Sequence, residues 1–71
     1  MNDAATEVTV RVNGEARTLG PGTTLADLVP VEWARGVAVA RNGEIVPRAQ
    51  WGDTPVQAGD VIEIVRPVQG G

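Results

Sequence analysis

Residues 7–19, EVTVRVNGEARTL, contain an alternating apolar and polar segment, then an Asn13-Gly14 pair, then residues 15–19 as the candidate returning strand. The valines from Val8 to Val12 occupy every second position, which is the pattern of a half-buried strand. Asn and Gly both accept positive φ, so Asn13-Gly14 predicts a two-residue type I′ turn. The stretch therefore predicts a β-hairpin, which Gly20-Pro21-Gly22 ends.

A second hairpin is predicted in the middle of the chain. Residues 37–41, VAVAR, have strand character and lead into another Asn-Gly pair, Asn42-Gly43. A short strand at residues 44–46 follows this turn. Pro47 limits that strand to a sheet edge or to a short piece, because proline has no N–H to donate to a neighbouring strand.

The last strand signal, VIEIV at residues 61–65, is the most apolar in the chain. Its apolar residues occur at both odd- and even-numbered positions, which point to opposite faces of a strand. This pattern predicts a central strand that is covered on both faces, or nearly so. Residues 48–56 before it show no regular period. We expect them to be irregular, with Trp51 as their anchor in the core.

One helix is expected between the two hairpins. In residues 23–29, TTLADLV, Thr24 suits the N-cap and Asp27 lies three residues later, near the positive end of the helix. Pro30 disfavours helical geometry at the residue before it. The helix is therefore predicted to be short, or to resume only as a turn through residues 32–34.

This order of elements predicts a two-layer α+β domain. The helical segment allows a crossover, so that the first and last strands can pair in parallel. We expect a β-grasp (ubiquitin-like) fold, in which a mixed four- to five-stranded sheet packs against one short helix. The domain is expected to span residues 7–66, with a flexible N-terminus at residues 1–6 and a flexible tail at residues 67–71.

Composition limits the chemistry that the chain can perform. Its 71 residues include no Cys, His or Lys, and nine acidic residues against six Arg give a net charge of −3. Thiol, imidazole and amine catalysis are therefore excluded, and we expect no catalytic side chain and no metal or cofactor bound by this chain. The acidic charge argues against nucleic-acid and membrane partners. With neither a leader nor a membrane-length apolar run, a cytoplasmic location is expected.

The C-terminal Gly70-Gly71 pair has the most functional content. Six residues separate the last strand from the terminal carboxylate, so we expect a short, narrow C-terminal segment to project from a rigid domain. Glycine is costly to order, and a pair at a tip fits a channel too narrow for a Cβ. The α-carboxylate can attack an activated phosphorus, while strand addition to a partner could hold the main chain of residues 66–69. The chain has no phosphate loop, so ATP would come bound to that partner.

The chain contains GVAVARNGEIVPR at residues 36–48, GDVIEIV at residues 59–65 and VQGG at residues 68–71. Together with VRVNGE at residues 10–15 and TLADL at residues 24–28, these segments resemble the ThiS family of thiamine-biosynthesis sulfur carriers, one of the ThiS/MoaD-type ubiquitin-like carriers. The resemblance covers about residues 7–71. The di-glycine end is shared by all ubiquitin-like sulfur carriers, so it indicates the superfamily and not the pathway.

The resemblance implies a carrier and not an enzyme. An E1-like adenylyltransferase of the ThiF type would adenylate the terminal glycine with ATP and magnesium. A cysteine desulfurase or rhodanese-type persulfide would supply sulfur to form a thiocarboxylate, and a ThiG-type thiazole synthase would receive that sulfur. The residue implied is Gly71, as the adenylation and thiocarboxylate site. From its position in the chain, the segment Gly70, Gln69 and Val68 is expected to be the tail that enters the partner's active site. Val65 is a candidate for an apolar docking surface or for packing at the edge of the core, and Arg66 is a candidate contact for acidic groups of the partner.

Two other interpretations stay open. The same chemistry could serve another pathway, as a molybdopterin synthase small subunit or a carrier for tRNA thiolation or cysteine synthesis. Alternatively, the chain could be a ubiquitin-like protein modifier or interaction domain.

For Trp33, the sequence favours a position in the core and a position on a binding surface about equally. The scattered carboxylates are expected to lie on solvated faces and in turns; they are Glu44, Asp53, Asp60 and Glu63.

Overall fold

The computed structural model describes residues 7–33 and 35–66. The strands are β1 Val8–Val12, β2 Glu15–Leu19, β3 Ala38–Arg41, β4 Glu44–Val46 and β5 Val61–Val65; helix α1 is Leu25–Leu28, and 3-10 segments cover Val31–Trp33 and Arg48–Asp53. The segments proposed as an N-terminal extension, residues 1–6, and as a tail, residues 67–71, lie outside the described residues, as does Ala34.

Within the described residues the strands form one five-stranded sheet in the order β2-β1-β5-β3-β4. Strands β1 and β5 run parallel, with Arg11 opposite Val61 and Val12 opposite Ile62. The other neighbouring pairs are antiparallel. The predicted β-grasp arrangement is confirmed, with the first and last strands side by side and the predicted edge strand β4 at the end of the sheet.

Both Asn-Gly pairs form the tight turns that the sequence predicts. Asn13 and Asn42 have φ values of 52° and 54°, and Gly14 and Gly43 both have φ of 87°. Positive φ at both central residues is the geometry of a type I′ turn, which matches the twist of paired strands. The two turns fix the register of β1 with β2 and of β3 with β4.

Helix α1 is short, as predicted, because residues at both ends limit it. The Asp27 carboxylate accepts hydrogen bonds from the Thr24 backbone N–H at 3.0 Å and from the Thr24 hydroxyl at 3.2 Å. Val29 is extended before Pro30, and the chain resumes as the 3-10 segment Val31–Trp33. None of the helices in the described part of the chain is long and apolar enough to cross a membrane.

The core lies between one face of the sheet and the layer that contains α1. Its buried members are Val10, Val12, Leu25, Val29, Val39, Trp51, Val56, Ile62 and Ile64. Trp51 anchors the segment before β5, as predicted, and its indole N–H donates to the Val46 carbonyl at 2.9 Å. The ring is therefore both buried and hydrogen-bonded, which an indole inside a core requires.

The segment that contains Trp51 is more regular than the sequence indicates. Instead of an irregular loop, Arg48–Asp53 forms a 3-10 helix. The Gln50 N–H donates to the Pro47 carbonyl at 2.8 Å, and the Thr54 hydroxyl donates to the Gln50 carbonyl at 2.8 Å. These short-range bonds need no repeating apolar pattern, so periodicity does not reveal them.

The prediction that β5 is covered on both faces is wrong. The strand is central, but only Ile62 and Ile64 are buried, whereas Val61 and Val65 are 45% and 58% exposed. The structure places one layer, containing α1, against the sheet, and it lies on the face of Ile62. We call the opposite side the open face; its apolar residues on β5 contribute little to the core.

The two faces of the sheet predict opposite effects of an introduced charge. Val10→Asp or Ile64→Asp would place an unpaired carboxylate among buried residues, at a cost of several kcal/mol. A domain of this size is stabilised by only about 5 kcal/mol. We expect either variant to be largely unfolded at about 25 °C when measured by thermal melting and circular dichroism.

The matched controls are the sequence neighbours on the open face, Thr9→Asp in β1 and Val65→Asp in β5. Thr9 and Val65 are exposed, so their carboxylates stay hydrated and the melting temperatures should change little. Equal destabilisation by all four substitutions would contradict the assignment of the two faces.

Candidate functional site

Strand β5 connects the core to the segment for which chemistry is predicted. It ends at Val65, and Arg66 is the last residue that the structure describes. The predicted reactive residue, Gly71, and the residues predicted to enter a partner's active site, 68–70, lie outside the described residues, so their roles stay predictions. The two predicted docking residues, Val65 and Arg66, lie within the described part of the chain.

Val65 and Arg66 do not belong to one surface, because their side chains turn to opposite sides of the sheet. Val65 lies on the open face. The Arg66 guanidinium lies on the helix side, with its carbon 4.6 Å from the centroid of the Trp33 ring. Trp33 is half-buried and packs against the core. A partner that contacts both predicted docking residues must therefore surround the end of β5.

An apolar patch on the open face begins beside the end of β5. Its large members are Val61, Val65 and Ile45, and Ile45 is 68% exposed. Ala40 on β3 lies between β4 and β5 on this face, because it pairs with Ile45 on β4 and with Glu63 on β5, and the charged Glu63 separates Val61 from Val65. Ile45 is not among the docking residues predicted from the sequence. The position of Ile45 could have been predicted from the two-residue turn at Asn42-Gly43. This turn sets the register of β3 with β4, which places Ile45 opposite Ala40.

Asp60 occupies the predicted turn before β5, but it is buried, with 6% of its surface exposed. Its Oδ2 accepts hydrogen bonds from Arg41 Nε at 2.8 Å and from the Gln57 N–H at 2.8 Å, and its Oδ1 accepts one from Asn42 Nδ2 at 3.0 Å. The expectation of a solvated carboxylate is therefore wrong for this residue. The reason is that Arg41 and Asn42, which are distant in sequence, and the nearby Gln57 N–H all donate to this carboxylate.

The surroundings of Asp60 also set its ionisation. Burial by itself raises the pKa of this carboxyl, but hydrogen bonds from Arg41, Asn42 and Gln57, with the positive charge of Arg41, outweigh burial and hold the pKa of Asp60 below its ordinary value. The carboxylate joins the turn before β5 to the β3–β4 hairpin, which is a structural role. Among the described residues, no acidic side chains gather in a group of three or more that could hold a metal ion.

The sheet order, the parallel β1–β5 pair and the short helix α1 define a ubiquitin-like protein with the β-grasp fold. A model of the ThiS family matches residues 10–71, and the chain belongs to this family. A crystal structure of a thiamine biosynthesis protein, ThiS, from Geobacter metallireducens has the same fold. That protein is 30% identical to this chain, and the match has a TM-score of 0.73 and covers 90% of this chain and 100% of that one. No curated protein matches this chain.

The family match and the structural match together support a sulfur-carrier role. Proteins of the ThiS family are small carriers and not themselves catalysts, and their role involves partners that activate sulfur and form the thiazole.

The Asp60 contacts predict a pH-dependent contribution to stability. The folded-state pKa is lower than the unfolded one. The contribution is therefore fully present above the unfolded pKa and is lost as the pH falls through the folded pKa. Asp60→Asn should lower the free energy of unfolding by about 1–3 kcal/mol near neutral pH. The difference between wild type and variant should shrink steadily in urea unfolding series below about pH 4.

Asp53→Asn is the matched control, because it removes the same charge from an exposed position. It should leave the stability and its pH dependence close to those of the wild type. A loss at Asp60→Asn that stays constant down to acid pH would show that ionisation of this carboxylate does not stabilise the fold.

Proposed function

We propose that this chain is the sulfur carrier of thiazole formation in thiamine biosynthesis, with Gly71 as the group that carries sulfur. The observation that supports this proposal best is the extent of the ThiS family match, which runs through the central strand β5 and the Gly70-Gly71 pair to residue 71. The proposal requires the α-carboxyl of Gly71 to be free.

The proposed reaction has two stages. The Gly71 carboxylate attacks the α-phosphorus of ATP and displaces pyrophosphate, giving an acyl adenylate. The terminal sulfur of a persulfide, on a cysteine desulfurase or a rhodanese-type protein, then attacks the acyl carbon and displaces AMP. A thiol cleaves the resulting S–S bond, which leaves a thiocarboxylate on Gly71 and a disulfide on the donor side. Thiazole synthase then takes the sulfur.

The activating partner supplies what this chain lacks. We infer that an E1-like, ThiF-type adenylyltransferase binds the ATP and magnesium, since cations must offset the charge of a carboxylate close to phosphates. The role of this chain is to position its terminus. Gly70 and Gly71 have no Cβ and fit a narrow channel, while the main chain of Val68 and Gln69 can pair with an exposed strand of the partner.

Docking of the domain is proposed to occur around the end of β5. Val65 would contact an apolar surface of the partner, because it is exposed beside Ala38 on the open face. Arg66 would contact acidic groups on the other side. The same end of the domain would face a ThiG-type thiazole synthase in the later step, since the thiocarboxylate must reach that enzyme's substrate.

The direct test is the mass of the intact protein. The chain is incubated with ATP, magnesium, a persulfide source and the ThiF-type enzyme, and the expected gain equals the replacement of one oxygen by sulfur. The product is then given to thiazole synthase and, separately, to the large subunit of molybdopterin synthase. Consumption only by the first supports the thiamine pathway, consumption only by the second assigns another pathway, and an unchanged mass excludes a carrier.

Changes at the tip should greatly reduce activation without affecting the fold. Deleting Gly71 moves the carboxylate back by about 3.5 Å, and Gly71→Ala adds a Cβ beside it. A misplacement of about 1 Å can lower a rate on the order of a hundredfold, so both variants should exchange pyrophosphate at least that much more slowly. Gly70→Ala should behave similarly if a narrow channel explains the glycines.

The control for these tip variants is Thr9→Ala, an exposed position in β1. It should exchange pyrophosphate at nearly the wild-type rate, and all variants should melt like the wild type because none alters the core. If the deletion variant exchanges normally while it melts normally, activation does not require the carboxylate at the position of Gly71, and the proposed role of this residue is wrong.

A further inference from the structure

The contact between Trp33 and Arg66 joins two parts of the chain that the sequence separates by half its length. Arg66 follows β5 immediately, and Trp33 ends the 3-10 segment that follows α1. The guanidinium carbon lies over the indole at 4.6 Å from the ring centroid, within the range of a cation–π interaction. The contact is thus made at the place where the chain leaves the domain.

The indole ring has a fixed position in the fold. Pro30 interrupts the helix, and the Trp33 N–H donates to the Pro30 carbonyl at 2.8 Å, which closes the 3-10 turn. The ring packs against the core and is half-buried. Because the ring is held by the core, it can restrict the guanidinium that stacks on it.

Stacking determines which atoms of Arg66 are available. A cation–π contact attracts the charge of the guanidinium to the ring face and does not require its N–H donors to be hydrogen-bonded elsewhere. Arg66 is exposed, and the described residues contain one ion pair, Arg41 with Asp60, which does not involve it. The remaining donors of Arg66 can therefore bind a planar anion in two-point fashion.

We propose that Arg66, oriented by Trp33, is a docking site for a carboxylate side chain on the surface of the activating enzyme, and that Trp33 acts as a positioning residue. This inference rests on the proposed function, because it assumes the E1-like partner. It assigns a role to Trp33, which the sequence left between core and binding surface. It also separates the roles of Arg66 and Val65, which contact the partner from opposite sides.

Distance favours a carboxylate of the partner over a phosphate of ATP. Five residues lie between Arg66 and the carboxyl end of Gly71, and an extended chain covers up to about 3.5 Å per residue, or roughly 17 Å. When the tail is extended into the active site, ATP is at its far end. The guanidinium is held against Trp33 on the domain, so it faces the entrance of the channel.

The experiment compares binding and activation by the ThiF-type enzyme. The dissociation constant is measured without ATP, and the KM and kcat are measured by pyrophosphate exchange. Arg66→Gln should raise the dissociation constant and the KM for the carrier roughly tenfold, the loss expected for one two-point ion pair. The kcat and the KM for ATP should stay near the wild-type values, and the difference should narrow as salt is added.

Trp33 is tested by its coupling to Arg66. Trp33→Leu should weaken binding several-fold and remove the ring-current shift of the Arg66 side-chain protons, whereas Trp33→Phe should keep most of both. In the Arg66→Gln background, Trp33→Leu should have little further effect on binding, because its role acts through the guanidinium. A melt of each variant separates any loss of stability from the change in binding.

The matched control is Arg17→Gln, which removes the same charge from an exposed position on β2. If Arg66→Gln binds no more weakly than this control, the docking site is overturned. If Arg66→Gln raises the KM for ATP instead, the bound anion is a phosphate and the assignment is wrong.

If Trp33→Leu and Arg66→Gln reduce the binding affinity additively, Trp33 does not act through Arg66 and its role is only structural. Normal wild-type binding without exchange would refute the proposed function while the docking site stands.

Discussion

The fold depends on hydrogen bonding along both edges of β5, and two turn asparagines complete it. Asn13 accepts from the Ile64 N–H at 2.8 Å and donates to the Ile64 carbonyl at 3.3 Å, beyond the last paired residue of β1. On the other edge, Asn42 accepts from the Val61 N–H at 2.9 Å. A central strand with unpaired backbone groups would be costly. The two Asn-Gly turns thus shape the hairpins and also bind the strand between them.

Much of this arrangement could be predicted because its signals are local. The alternation before Asn13-Gly14, the second turn and Pro30 each depend on a few neighbouring residues, and they are sufficient to predict the hairpins and a short helix. The amide contacts of Asn13 with Ile64 and the burial of Asp60 could not be predicted in this way. They join residues that are far apart in sequence. Local patterns of apolar and polar residues do not indicate which distant residue a side chain will contact.

The site was predicted less completely for the same reason. Gly70-Gly71 is recognisable as a terminal motif, but the stacking of Arg66 on Trp33 requires the crossover that brings them together. The error at β5 is also informative. Apolar residues at both odd and even positions predict a strand that is buried on both faces, yet Val61 and Val65 lie on the open face. An apolar face that the domain itself leaves uncovered is typical of an interaction surface.

The surroundings of β5 are therefore required for the proposed reaction to be efficient. Holding residues 67–71 in one conformation inside a partner's site costs about 1–2 kcal/mol per residue in backbone entropy. Two glycines offer no side-chain contacts to offset that cost. In the proposed function, the binding free energy must therefore come from the folded domain. Val65 on the open face and Arg66 on Trp33 would bind the partner before the tip reacts, so that their binding energy would offset the ordering of the tail.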